Sequence, residues 1–237
     1  MRIAILVLWM LASSIAPLGA QAGPAAGASG ESLGIDLPAY PELLAVSDQP
    51  VYYAPQVKSN YFFYDGLYWI YQHDSWHASA WYNGPWHLVG PDAVPDAVLR
   101  VPVRYFRRPP AYFRAWGSDT PPRWDEFWGR EWEQRRPNWN EWSRKAAMTP
   151  APLSRFQGRY TGAHYPQPGE QPAIQDRHYR HEPSDVLVQQ LRQALRARAV
   201  PASGARDGPA AKQALASPPR EEAGRENTEP RHGERSR

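Results

Sequence analysis

The fold class this 237-residue sequence predicts is mainly β. It is a small antiparallel sheet or partly open barrel, capped by a Trp-rich α-helix and flanked by long disordered N- and C-terminal segments. Three observations carry that expectation. Aromatic runs alternate with turn dipeptides between Val51 and Val103. Ten of the eleven tryptophans fall between Trp69 and Trp142, where large amphipathic rings can fill a small core. The chain holds 26 prolines and 17 glycines, so much of it is not expected to pack.

Residues 1–22 read as a secretory signal peptide. Arg2 precedes the apolar run Ile3–Leu11, and Ala20-Gln21-Ala22 offers small residues for cleavage after Ala22. Pro17 and Gly19 end the run well short of the ~18 apolar residues a membrane anchor needs. Residues 23–50 follow as a flexible leader, Ala/Gly/Ser-rich and then punctuated by Pro38, Pro41 and Pro50.

The β domain and its helix are expected over residues 51–147. Tyr61–Tyr64 and Leu67–Tyr71 flank Asp65-Gly66, a dipeptide suited to a two-residue hairpin turn at positive φ. That turn sets Tyr64 opposite Leu67, Phe63 opposite Tyr68 and Phe62 opposite Trp69. A loop at Gln72–Ser75 leads to a strand at Trp76–Tyr82. Pro85 cannot donate a hydrogen bond, so Asn83-Gly84-Pro85 predicts a wider loop before a strand at Trp86–Val89. Val98–Phe106 reads as a last strand, bent or at an edge because of Pro102.

Arg123–Arg136 has a helical pattern, with Thr120 as N-cap and Pro137 as stop. Trp124, Phe127, Trp128 and Trp132 share one side, and Glu126–Arg130 and Glu131–Arg135 are spaced as ion pairs. Residues 148–237 read as a mostly disordered Pro/Arg-rich tail with one possible helix at 184–199.

With no cysteine, the chain has no disulfide, no thiolate nucleophile and no zinc–cysteine site. Net charge is +3, unevenly spread. Val51–Leu99 carries one Lys against four Asp, whereas Arg100–Lys145 carries eleven basic and six acidic residues. The positive charge is nearly all arginine, whose planar fork grips phosphate or carboxylate.

Several stretches resemble a group of uncharacterised exported proteobacterial proteins. They are Tyr61-Phe62-Phe63-Tyr64-Asp65-Gly66-Leu67-Tyr68-Trp69, Trp81-Tyr82-Asn83-Gly84-Pro85-Trp86, Leu99-Arg100-Val101-Pro102-Val103-Arg104-Tyr105 and Pro121-Pro122-Arg123-Trp124. The likeness covers roughly Leu37 to Arg144. It implies a Gram-negative envelope location, periplasmic or outer-membrane-associated, and one folded unit running through the Trp-rich helix. It carries over no reaction, ligand or catalytic residue.

No catalytic residue, cofactor or metal site is assigned from the sequence. His73, His77 and His87, with Asp74, have ligand chemistry, but their spacing across a loop and strands does not imply convergence. An enzyme or metal-binding role built on them is the lowest alternative. His73-Asp74-Ser75 cannot act as a triad, since sequence neighbours do not converge from separate rigid elements. Asp125 and Glu126 read as helix-dipole partners.

The aromatic strands are the leading site. In strict alternation Tyr61, Phe63 and Trp76 or Ala78 face one way, and Phe62 and Tyr64 the other. The Trp stripe of the helix is expected to bury on one face. Tyr61, Phe63, Tyr68, Trp76, Trp81 and Trp86 then form a ligand platform for an envelope glycan or envelope protein, in a non-enzymatic structural or binding role. The alternative is peripheral contact with membrane or lipopolysaccharide. It uses Arg107, Arg108, Arg114 and Arg123 with Trp124, Trp128 and Trp132. Nucleic acid is the wrong partner for an exported chain, and oligomeric state is not legible.

Overall fold

The computed structural model describes residues 33–141 and 149–199. The expected signal peptide at 1–22, the first part of the leader, Trp142 and the tail from residue 200 lie outside the described residues.

Six strands form one antiparallel meander in chain order. They are β1 (Leu44–Ala45), β2 (Val51–Tyr53), β3 (Asn60–Tyr64), β4 (Leu67–Gln72), β5 (Ser75–Ser79) and β6 (His87–Val89). The sheet is open rather than barrel-like. Around it lie α1 (Asp96–Leu99), α2 (Trp124–Trp128), α3 (Arg130–Arg135), α4 (Gln171–His178) and α5 (Val186–Ala199). Helical residues outnumber strand residues, so "mainly β" describes the central layer rather than the whole chain.

The β3–β4 hairpin has the expected register, with Phe62 opposite Trp69, Phe63 opposite Tyr68 and Tyr64 opposite Leu67. Asp65 and Gly66 turn the chain at φ 48° and 92°. His73 and Asp74 make a second turn, also at positive φ, and set Trp76 opposite Tyr71. Directly opposed residues share a face. Trp76 and Ala78 therefore join Phe62 and Tyr64, not Tyr61 and Phe63, which corrects the expected alternation. The Asn83-Gly84-Pro85 stretch lies in a wide loop between β5 and β6, as the missing Pro85 donor requires.

Both faces of the sheet are covered. On one, Phe62, Trp69, Tyr71 and Trp76 pack with Leu99, Phe106, Phe113, Trp124, Trp132 and the α5 residues Val188 and Leu195. On the other, Tyr61, Phe63, Tyr68 and Ile70 pack with Leu43, Val57, Tyr82, Trp86, Ala151 and Tyr179. A doubly covered sheet needs apolar residues at consecutive positions. The unbroken runs Tyr61–Tyr64 and Leu67–Tyr71 meet that need.

Much of the second cover comes from segments expected to be loose. Residues 33–50 are not a flexible leader: β1 pairs with β2, and Leu43 and Val46 are buried. Residues 149–199 are not disordered either, and the helix expected at 184–199 is α5. The seat of this segment is polar. Fully buried Gln157 donates to Ala80 O at 2.9 Å and to Gln175 Oε1 at 3.1 Å, and accepts from Tyr82 N at 3.0 Å. Buried polar groups must be paired in this way.

The expected strand at Val98–Phe106 is instead α1 followed by a single 3-10 turn, Val103–Tyr105. Pro95 and Pro102 sit ahead of these turns, and the apolar positions between them still enter the core. The Trp-rich helix is broken in two at Gly129 (φ 84°, ψ 171°), and α2 starts after Arg123 rather than being capped by Thr120. Thr120 Oγ1 donates to Gly117 O instead. Among the described residues the realised ion pairs of this stretch are Arg123–Glu126, Arg135–Asp92 and Arg136–Asp96. A Cβ added at Gly129 meets nothing within 4 Å. Gly129→Ala therefore isolates backbone strain in a region that is essentially glycine-only, and should lower unfolding stability by about 1–3 kcal/mol in urea melts.

Candidate functional site: an arginine ridge over a polar cavity

The six rings expected to form an open platform are interior. Tyr61, Phe63, Tyr68, Trp76, Trp81 and Trp86 are each at most 4% exposed. The platform is ruled out because segments 33–57 and 149–179 cover Tyr61, Phe63, Tyr68, Trp81 and Trp86, while Trp76 is buried on the opposite face against Phe106 and Trp124. Tyr61 OH donates to Tyr82 O at 2.7 Å and Tyr68 OH to Tyr40 OH at 3.3 Å. Burial pushes both the Tyr61 and Tyr68 phenols well above the usual value, so they act as neutral donors.

The Trp residues of the membrane alternative are also inside. Trp124 and Trp132 are buried, and Trp128 lies half-buried between them, 4.7 Å from Trp124 and 4.8 Å from Trp132. This corrects their expected placement at a headgroup layer. The stripe faces the sheet, as an amphipathic helix beside a small sheet should.

The arginines behave differently. Arg107, Arg108, Arg114 and Arg123 are all exposed. Arg123 is engaged by Glu126 at 2.9 Å, whereas Arg107, Arg108 and Arg114 have no carboxylate partner among the described residues. Their backbone is held rigidly. Phe106 and Phe113 anchor the segment in the core, with ring centroids 5.3 Å apart. Between them, Arg108 N donates to Asn60 Oδ1 at 2.6 Å, and Asn60 Nδ2 donates to Arg108 O at 2.8 Å. Asn60 is buried on β3 and also donates to Tyr71 O. The result is a 107–114 segment, pinned at Arg108, that carries three exposed arginines, the arginine ridge.

Beside the ridge opens a cavity of about 500 Å³, lined by Lys58, Asn60, Gln72, His73, Asp74 and Arg108 among others. That lies within the ~300–1,000 Å³ typical of ligand sites. Tyr112 OH donates to Asp74 Oδ1 at 2.9 Å, so its contact with Tyr71 OH at 2.7 Å is donated by Tyr71. Burial, more than any neighbour, raises the Tyr71 and Tyr112 phenols. The relay therefore stays protonated at neutral pH and fixes Asp74 on one wall. Such a site can hold a polar, anionic group through Lys58 and Arg108 and orient hydroxyls through Gln72 and Asp74.

The histidines do not converge. His77 opposes Leu88 while His87 opposes Ala78, so the two lie on opposite faces of the sheet, and His73 is exposed in a turn. Among the described residues no group of three or more His, Cys, Asp or Glu side chains could hold a metal ion. No helix of the described residues is long and apolar enough to cross a membrane. His181, in the tail set aside on sequence, does bond a carboxylate, Asp65, at 2.6 Å. Compared with protein-family models, curated proteins and solved structures, the chain matches none.

Proposed function

We propose that the protein is a non-enzymatic, exported envelope protein of a Gram-negative cell that binds an anionic saccharide of the envelope. The binding surface is the ridge Arg107, Arg108, Arg114 with the cavity beside it. Three exposed guanidiniums without carboxylate partners on a pinned backbone carry this reading. The aromatic residues then serve as the rigid interior that holds the rim in place. Trp burial disfavours the version in which the helix enters a membrane, because its apolar stripe is already spent on the sheet.

Mature protein should co-sediment with lipopolysaccharide vesicles or with peptidoglycan, and less so at high salt. Replacing Arg107, Arg108 and Arg114 together by Gln should weaken that binding about tenfold, since exposed charge contacts contribute ~0.2–1 kcal/mol each. Dephosphorylated lipopolysaccharide separates phosphate from sugar-carboxylate recognition. Protein that stays in the supernatant with every envelope fraction, or a triple variant that binds as the parent does, would overturn the reading.

A further inference from the structure

A second cavity, sharing no lining residue with the first, lies between the β5–β6 loop and the helices α4 and α5. It is smaller, about 180 Å³, and its wall is mostly apolar: Trp81 and Pro85 from the loop, Pro172 from α4, Leu195 and Ala199 from α5. That volume is about six times a liquid water's share of ~30 Å³, room for a body of roughly six to eight carbons.

The charges at its edge do not cancel. Arg196 is paired with Asp176, and Arg192 lies 3.6 Å from Glu182 while donating to His181 O. Arg198 has no carboxylate partner among the described residues, so it supplies one uncompensated positive charge. His87 is held below its ordinary value of 6.5, first by burial and then by the charge of Arg198. The imidazole is therefore neutral at pH 7 and adds no second cation there.

Two further donors in the wall lack acceptors. Trp81 is fully buried, and its indole N–H has no hydrogen-bond partner. Gln175, also buried, gives its oxygen to Gln157, and its amide nitrogen meets no acceptor among the described residues. Four other buried indoles share the first property, so it carries no weight alone. The Trp81 N–H is also enclosed away from the cavity, so the donor that joins Arg198 at its wall is the Gln175 amide.

We infer that this cavity binds a short monoanion with an apolar body, a medium-chain acyl or single-ring aryl carboxylate. Its head is directed to Arg198 and the Gln175 amide, and its body to the apolar surface of Trp81 and Leu195. A phosphorylated saccharide does not fit this chemistry, because one net charge and an apolar wall leave most of its hydroxyls unpaired. The site is independent of the arginine ridge.

Titrating ¹⁵N-labelled mature protein with hexanoate, and in parallel with hexanol, tests the assignment. Hexanoate should shift the Trp81 indole and Gln175 side-chain resonances and bind at least tenfold tighter than hexanol. Arg198→Gln, at an exposed position, should abolish that preference and leave hexanol binding unchanged. Ala199→Phe should narrow the cavity and weaken both ligands, with dispersed amide signals confirming that the variant folds. Equal affinity for acid and alcohol, unmoved Trp81 and Gln175 signals, or undiminished hexanoate binding in Arg198→Gln would each overturn the proposal.

Discussion

Replacing Asp65 by Ala is expected to lower the stability of the protein by about 3–5 kcal/mol, because it strips the acceptor from three donors at ~1–3 kcal/mol each. Asp65 is 4% exposed and stands at the tip of the β3–β4 hairpin. Its Oδ1 meets His181 Nε2 at 2.6 Å, and its Oδ2 accepts from Ser184 N and Asp185 N, each at 2.8 Å. Those amides lie just ahead of α5, whose own first turn is closed by Asp185 Oδ1 on Leu187 N and Val188 N. One carboxylate thus joins a hairpin turn to a helix start 119 residues away. Alanine would leave three donors unpaired and would sit poorly at φ 48°. Asp65→Asn keeps the turn and one acceptor oxygen, so it should lose clearly less than Ala. Urea unfolding followed by tryptophan fluorescence reads both. A loss below about 1 kcal/mol for Ala would mean that α5 does not depend on this link.

The hairpin itself was legible because one dipeptide, Asp65-Gly66, determines both a turn and a register. The face assignment of Trp76 was not, since it depends on whether Gln72–Ser75 closes with two residues or more. His73 and Asp74 at positive φ decide that, and neither type announces such a turn as Asn-Gly does. Val98–Phe106 has the β-branched residues of a strand, yet Pro95 and Pro102 set local turns that use the same apolar positions. The docking of residues 149–199 left the faintest trace. Its anchors include Gln157, Gln171 and Gln175, all buried, and its tie to the hairpin is His181. Hydrogen-bonded polar residues produce no hydrophobic period, so the segment has the composition of a disordered tail while folding onto the sheet. That same docking closed the aromatic platform and built the apolar cavity. The arginine ridge was legible as charge, and its rigidity came from Asn60, a residue with no signal of its own at the end of an aromatic strand.

Trp124→Ala should cost about 3–5 kcal/mol, the range for emptying a buried aromatic site. Trp128→Ala, at a half-buried ring, should cost about 1–2 kcal/mol. Trp124 lies 5.1 Å from Tyr71, 5.9 Å from Trp76 and 5.6 Å from Phe113, so it closes the aromatic layer between sheet and helix. Its indole N–H donates to Leu99 O at 2.9 Å, whereas that of Trp69 has no partner. Trp124→Phe should therefore lose more than Trp69→Phe by about the net value of one hydrogen bond, ~1 kcal/mol. The same variants separate core from membrane roles. If α2 docked on lipid, Trp124→Ala would spare the melting transition and abolish vesicle binding. The geometry requires the opposite: a large fall in stability, with anion binding per folded molecule preserved as long as the Arg107–Arg114 rim stays ordered. Without a cysteine to cross-link it, this layer of rings is what holds that rim in place.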